Sequence, residues 1–391
     1  MAADGYTDPT DPFRAVRGEK VVGETGLLLL AASSCASRAA VRERLEHVAR
    51  LLVPYARGER VRARICLEPS LALEHALAHV CLSAIGLPDS DLDTLLSESL
   101  QAESAGGRER PPHRQLEQEW MLRVWSPSSG RRVDPGLPGR SALGRPSDVL
   151  SVQKEDGYAF THSLMYLTDL GARRIRLPRS QSTIAAEADA TSAWSLDEPD
   201  YDLCGEVLLT WPYLGLPWSA SATLGFAVLA LVEDRVGFLP TPGTSLERLK
   251  TLRGNEKSRY ILTSSYHSAF VMGLLCAGAL REGCRPPISL PGRSRHPGAT
   301  AKLMRLVGAV DAEPAWRDHL DDLSSIEQDS AAPFVLNVCL RRAALQRDLV
   351  AMRSALVIGE KHGLLDAPAP RQAAELLRRS ATFANLSPPG P

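Results

Sequence analysis

The chain has 391 residues, 44% of them hydrophobic and 23% charged, with 45 basic against 46 acidic side chains. That size and balance describe a globular protein able to bury a core, and a net charge of −1 argues against general nucleic-acid binding, which takes an excess of Lys and Arg on one face. Collagen-like, disulfide-scaffold and mostly disordered classes are excluded by the same composition.

Residues 1–12 are polar with two Asp-Pro steps and carry neither a basic nor an apolar run of the secretory type, so they read as a disordered leader. A helical subdomain follows over 13–104. Leu27–Leu30, Val41, Leu45, Val48, Leu51 and Leu52 recur at helical steps, a second helix runs over about 69–85, and a third begins on acidic residues after Asp89. Residues 105–150 form a linker and long loop by their Gly, Pro and charge content, interrupted by a short helix around 115–124. A domain boundary is expected there.

From 151 to 382 helices follow one another with short Gly/Pro turns. The expected elements are 157–170 closed by Gly171, a weaker 181–194, 202–214 and 219–236 joined by Gly215–Pro217, 245–253, 260–282, 300–310, 314–323 and one long helix over 332–362 capped by Gly363. Residues 383–391 read as a disordered tail. With Arg173–Leu177 the lone short alternating run, the class is all-α: stacked antiparallel hairpins forming an α/α toroid or a short α-solenoid. The seven cysteines are widely spaced without a tight pair, as in a cytoplasmic protein with reduced thiols, and Leu27–Ala32 and 220–232 fall short of the ~18 apolar residues of a spanning helix. Arg far outnumbers Lys, as in proteins of high-GC bacterial genomes.

Chemistry concentrates on two helices. In EDGYAFTHSLMYLTDLG, Asp156 is placed to N-cap the helix. Phe160, Leu164 and Leu167 form an aliphatic stripe, and Tyr158, His162, Met165, Tyr166 and Asp169 form a second, polar one. The pattern suits an inner helix beside a partly polar cavity, and equally a core histidine bonded to a neighbouring carbonyl. In RYILTSSYHSAFVMGLLCAGAL, Tyr260, Ser264, His267, Ser268 and Val271 share a face, Tyr266 adjoins His267, and Gly273, Ala277 and Gly278 invite close approach of a neighbouring helix. Imidazole titrates near neutrality, so His162 and His267 are candidate acids or bases, and the alternative is a packed helix whose hydroxyls bond the preceding turn.

His75 and His79, four apart, have the spacing of a shared metal, but the glutamate of HExxH is not between them, and a third ligand would have to come from afar, from His162, Asp169, His267 or Cys81. No phosphate loop, dinucleotide fingerprint or nucleophile elbow occurs, and no cofactor is expected. LPGRS occurs twice, placing Arg140 and Arg293 in loops that could grip an anion or be coincidence. Trp211, Tyr213 and Trp218 form an aromatic turn suited to holding a ring or peptide, or to packing on its own hairpin.

The segments DGYAFTHSLMYLTDLG and SSYHSAFVMGLLCAGAL resemble a family of helical bacterial proteins associated with gene clusters for ribosomally made, modified peptides of the lanthipeptide type. The resemblance implies a tailoring enzyme, a peptide cyclase or lyase, acting on a precursor peptide, with a kinase or lyase of the same pathway as a second partner. Lanthionine cyclases of the toroid type hold zinc with two Cys and one His. Here no Cys precedes a His, so cyclisation would use His162 or His267 as base and Tyr158 or Tyr266 as proton donor to the enolate, with Asp169 beside them. Tyr166, Ser264, Trp211 and Trp218 are the expected substrate contacts. A non-catalytic scaffold for the peptide or a partner enzyme, and a metal-dependent oxidative enzyme using His75 and His79, are the alternatives.

Overall fold

The computed structural model describes residues 18–35, 39–126, 134–290, 296–308 and 314–386. Among them every regular element is a helix, so the fold is all-α. The order is α1 (Gly18–Ser33), α2 (Ala39–Ala56), α3 (Glu59–Leu67), α4 (Ala72–Ala84), α5 (Ser90–Gln101), α6 (Pro112–Trp125), α7 (Leu137–Arg140), α8 (Lys154–Leu167), α9 (Gln181–Asp197) and α10 (Tyr201–Leu208). It continues with α11 (Thr210–Leu214), α12 (Ala220–Val236), α13 (Leu246–Thr251), α14 (Gly254–Ala279), α15 (Ala299–Val307), α16 (Ala315–Asp321), α17 (Ser325–Ser330), α18 (Ala332–Gln346), α19 (Leu349–Lys361) and α20 (Pro368–Leu386).

Two compact units are interleaved along the chain. The first takes the stretch ending at Ser141 together with His162–Arg176 and Gly243–Arg285; the second takes Ala142–Thr161, Leu177–Pro242 and the stretch from Pro286 onward. One crossover, Ser141 to Ala142, lies inside the 105–150 span that the sequence marks as a boundary. Two others fall at Pro/Gly runs, 240–243 and 286–287, one falls within α8, and the one at 176–177 has no such run. Residues 1–12 and 387–391 lie outside the described residues, and residues 383–386, expected in the disordered tail, instead form the end of α20.

In the first unit α1 packs on α2, α4 and α14, and α4 also receives α3 and α6. Leu29, Ala49, Leu52, Ala56, Ala78 and Leu82 close one core between α1, α2 and α4. Gly26 sets the α1–α4 spacing: a Cβ there would stand 2.8 Å from the Ala78 Cα. Gly273 plays the same part between α14 and α1, where a Cβ would meet Leu28 at 3.0 Å. The small residues of α14 thus mark a helix contact, as their sequence suggested. Among straight described helices α14 alone has the length and mean hydropathy, 1.2, of a minimal membrane span, and 44% of that window is buried inside the fold.

In the second unit α18 is the hub, packed on α9, α12, α15, α19 and α20. Phe334, Val335, Val338 and Leu340 are fully buried, and Trp316 meets Phe334 edge-on at 5.3 Å. Helix α9 is buried on nearly every side, which is why its Ser/Ala/Thr sequence shows little periodicity. Its buried hydroxyls bond their own helix, Thr191 to the Glu187 carbonyl and Ser195 to the Ser192 carbonyl.

Two local expectations need correction. The single helix over 332–362 is two, because Arg347 turns left-handed (φ 58°) and the Asp348 carboxylate caps α19 by accepting from the Val350 and Ala351 amides. Asp156 does not N-cap α8, which begins at Lys154; its carboxylate instead accepts from the Gln153 amide at 3.2 Å, reaching back as the third residue of a capping box does. Arg173–Leu177, the alternating run, is an irregular connector.

Candidate functional site

Helix α8 ends at Leu167, four residues before the glycine expected to close it. Asp169 and Leu170 both adopt left-handed backbone (φ 53° and 52°), ahead of Gly171 at 81°. Each non-glycine residue there costs about 1 kcal/mol or more. The turn is repaid by the Leu170 amide bonding the Met165 carbonyl at 2.9 Å, by burial of Leu170, and by the Trp120 indole N–H donating to Asp169 Oδ1 at 2.6 Å.

Opposite this end of α8 runs α6. His113, Glu117 and Trp120 are spaced four and three apart, the spacing of His162, Tyr166 and Asp169, so the two helices present matched polar rows. Tyr166 donates its hydroxyl to Glu117 Oε1 at 2.7 Å, and Arg114 donates to Glu117 Oε2 at 2.7 Å. These two donors satisfy a carboxylate that is only 6% exposed. The Trp120 and Tyr166 rings lie 5.3 Å apart.

His162 sits in this row with its ring 6.1 Å from both His113 and Tyr166. Burial, and then the nearby charges of Arg114, His113, His267 and Lys20, push its pKa down to about 3. It is a neutral imidazole at physiological pH.

The α1–α14 seam supplies the rest. His267 Nε2 lies 3.4 Å from Glu24 Oε1, which also pairs with Lys20 Nζ at 3.4 Å. Lys20 lies 5.9 Å from the centre of the Tyr266 ring. Burial alone would lower the lysine pKa, but Glu24 and Tyr266 together outweigh it and hold it above the ordinary value, so Lys20 stays charged. Because the charges of Lys20 and His267 both act on His162, the α6–α8 and α1–α14 groups form one electrostatic cluster of three imidazoles, three carboxylates and two cations. Such a cluster can polarise a carbonyl, orient a titrating imidazole and move a proton between them.

Of the residues singled out by sequence, His162, Tyr166, Asp169, Tyr266 and His267 meet here. Tyr158 does not: it lies in the second unit, where its hydroxyl donates to Asp202 Oδ2 at 2.6 Å and Lys154 stands 5.4 Å from its ring. Burial and then Asp202 push that phenol far above its ordinary range. Ser264 donates to the Tyr260 carbonyl at 2.7 Å, the packed-helix arrangement. Trp211 is 1% exposed and stacks on the half-buried Trp218 at 6.0 Å, which meets Phe226 edge-on. Of that pair, Trp218 alone has surface to offer.

His75 and His79 turn to different carboxylates, Glu68 at 3.1 Å and Asp93 at 2.9 Å, and Trp125 also donates to Asp93. Cys81 is wholly buried and its thiol pKa is pushed far up by burial. Arg140 pairs with Asp134 at 2.6 Å; Arg293 lies outside the described residues. Sequence reasoning missed Lys20, Glu24, His113, Arg114, Glu117 and Trp120. The His113–Glu117–Trp120 row was visible at helical spacing, but nothing local tied it to α8.

Residues 4–277 match the family described as a domain of unknown function, DUF6895. The chain belongs to this family. No curated protein and no solved structure matches it. The DUF6895 span contains every member of the cluster, from Lys20 in α1 to His267 in α14.

Proposed function

We propose that the DUF6895 region is an acid–base catalyst that closes lanthionine-type thioethers in a precursor peptide. The observation that carries the reading is the split between two histidines of one cluster, His162 held neutral by burial and its cationic neighbours, and His267 paired with the Glu24 carboxylate. The substrate class rests on the resemblance of the segments that bear those same two residues. In this reading His267, oriented by Glu24, takes the proton of a peptide cysteine as its sulfur bonds to the β-carbon of a dehydrated residue. The N–H of His162 stabilises the developing enolate oxygen, and Tyr266 beside Lys20 returns a proton to the α-carbon. Tyr158 drops out of the scheme because its hydroxyl is committed to Asp202.

The test is conversion of a dehydrated, cysteine-containing precursor peptide, followed by mass spectrometry with thiol alkylation. Replacing His267→Ala or Glu24→Gln is expected to slow closure by about 10²-fold, the usual worth of a positioned acid or base. An undiminished rate in a folded His162→Ala/His267→Ala protein overturns the catalytic reading.

A second reading, a scaffold that binds the peptide without reacting, draws on one observation: an imidazole with a pKa near 3 is a poor proton acceptor at neutral pH. It expects peptide binding with no turnover in the wild-type protein.

A further inference from the structure

A small cavity lies in the second unit, between α9, the start of α18 and the Leu364–Pro370 segment. Its volume is about 50 Å³, several times the roughly 10–15 Å³ that one water requires. Its walls are apolar, with Pro333, Leu336, Leu364 and Pro370 among them, except for two side chains, Asp189 and Asn337.

Both polar side chains are out of place in the local sequence. Asn337 interrupts a run in which Val335, Leu336 and Val338 are at most 1% exposed, and is itself 7% exposed. Its amide makes no hydrogen bond to any described residue and lines the cavity. Asp189 is held on one side only: Ser219 donates its hydroxyl to Oδ1 at 2.5 Å, while Ser219 in turn caps α12 by accepting from the Ala222 amide. The carboxyl has no basic side chain acting on it, and burial raises its pKa to about 7. One carboxylate oxygen and one amide, neither bonded to another described side chain or backbone group, thus line the same otherwise apolar cavity.

We propose that this cavity is a binding site for a primary aliphatic ammonium group, held by Asp189 and Asn337 with its alkyl chain against the proline and leucine walls. The chemistry selects that class. The one titratable group on the cavity is a carboxyl, so an ionised carboxylate there repels an anion, while an ammonium ligand favours the ionised form that burial alone disfavours. A hard divalent cation takes six or more oxygens, and the cavity offers far fewer. An ammonium carries three N–H donors, one for the open Asp189 oxygen and one for the Asn337 carbonyl. The site shares no residue with the histidine cluster, so the two readings stand or fall separately.

The test titrates n-butylammonium into the full-length protein, read by saturation-transfer NMR, with n-butanol as the uncharged isostere and Nα-acetyl-lysine amide as a peptide-borne amine. Saturable butylammonium binding is expected, weakened roughly thirtyfold or more in Asp189→Asn, since losing one partner of a buried charge pair costs about 2 kcal/mol or more. Butanol is expected to bind no better than butylammonium does to that variant. Binding of the lysine derivative identifies a lysyl side chain as the ligand form, and its exclusion identifies a free amine. Should Asp189→Asn not fold, Asn337→Leu replaces it, with a loss of about tenfold expected from one missing hydrogen bond to the ammonium. No saturable binding to the wild-type protein, binding unchanged in a folded variant, or equal binding of butanol overturns the assignment.

Discussion

Replacing His162 with glutamine should flatten the acid side of the stability profile. In the folded protein burial and the surrounding cations push its pKa down to about 3, against about 6.5 for an unperturbed histidine. Between those values the unfolded chain binds a proton that the folded chain refuses, so stability rises with pH through that window and levels off above it. One proton is worth about 1.4 kcal/mol per pH unit, so acidification from pH 6.5 to 5.0 costs about 2 kcal/mol through this residue alone. The side chain is only partly buried, which places the expected cost at the lower end, about 1–2 kcal/mol. Glutamine cannot titrate. The variant will lose packing energy at every pH, but that loss shifts its curve without tilting it. Urea unfolding at half-unit intervals from pH 7.5 to 5.0 measures the difference in slope. Parallel curves for the two proteins would refute the claim that His162 is kept neutral by its surroundings.

Gly26→Val should destabilise the first unit by about 1–3 kcal/mol, seen as a lower thermal midpoint, because its Cβ would stand 2.8 Å from the Ala78 Cα and α1 and α4 would have to part. Arg179→Met should cost about 3–5 kcal/mol and Arg179→Met/Glu187→Met much less: Arg179 grips Glu187 through both nitrogens at 2.6 and 2.7 Å, and the single variant strands a carboxylate that is 2% exposed. Equal losses in the two chemical-denaturation experiments would contradict this. His75→Ala should leave the metal content of the purified protein, measured by elemental analysis, unchanged, since His75 turns to Glu68 and not toward the partner of His79. A loss of one equivalent would restore the shared-metal reading.

Local pattern carried the helix class a long way and then stopped at recognisable points. Periodicity located α4, α8, α12 and α14 because each has a face that must be buried and a face that need not be. It was weak for α9, where burial on nearly every side erases the contrast between faces. It ran α18 and α19 together because both halves are apolar at helical spacing, and a left-handed Arg347 has no signature of its own: the residue that favours such a turn is glycine. The candidate site was half legible for the same reason. His162, Tyr166 and Asp169 stood out as a polar row on a helix that also had an aliphatic one, and His267 as an imidazole among hydroxyls. Their partners on α1 and α6 did not stand out.

By itself, then, the sequence determined that this protein is helical, that α8 and α14 each carry a polar row with a histidine, and that small residues of α14 admit a close neighbour. Those properties are set within a few turns of one helix, where spacing alone decides which side chains share a face. The tertiary structure decided that the close neighbour is α1, that the polar row of α8 meets His113, Glu117 and Trp120, that Tyr158 is turned to Asp202, and that Asp189 and Asn337 open on one cavity. It also decided the charge state of His162, since burial and through-space charge depend on which distant segments pack together, and no short-range pattern records that choice.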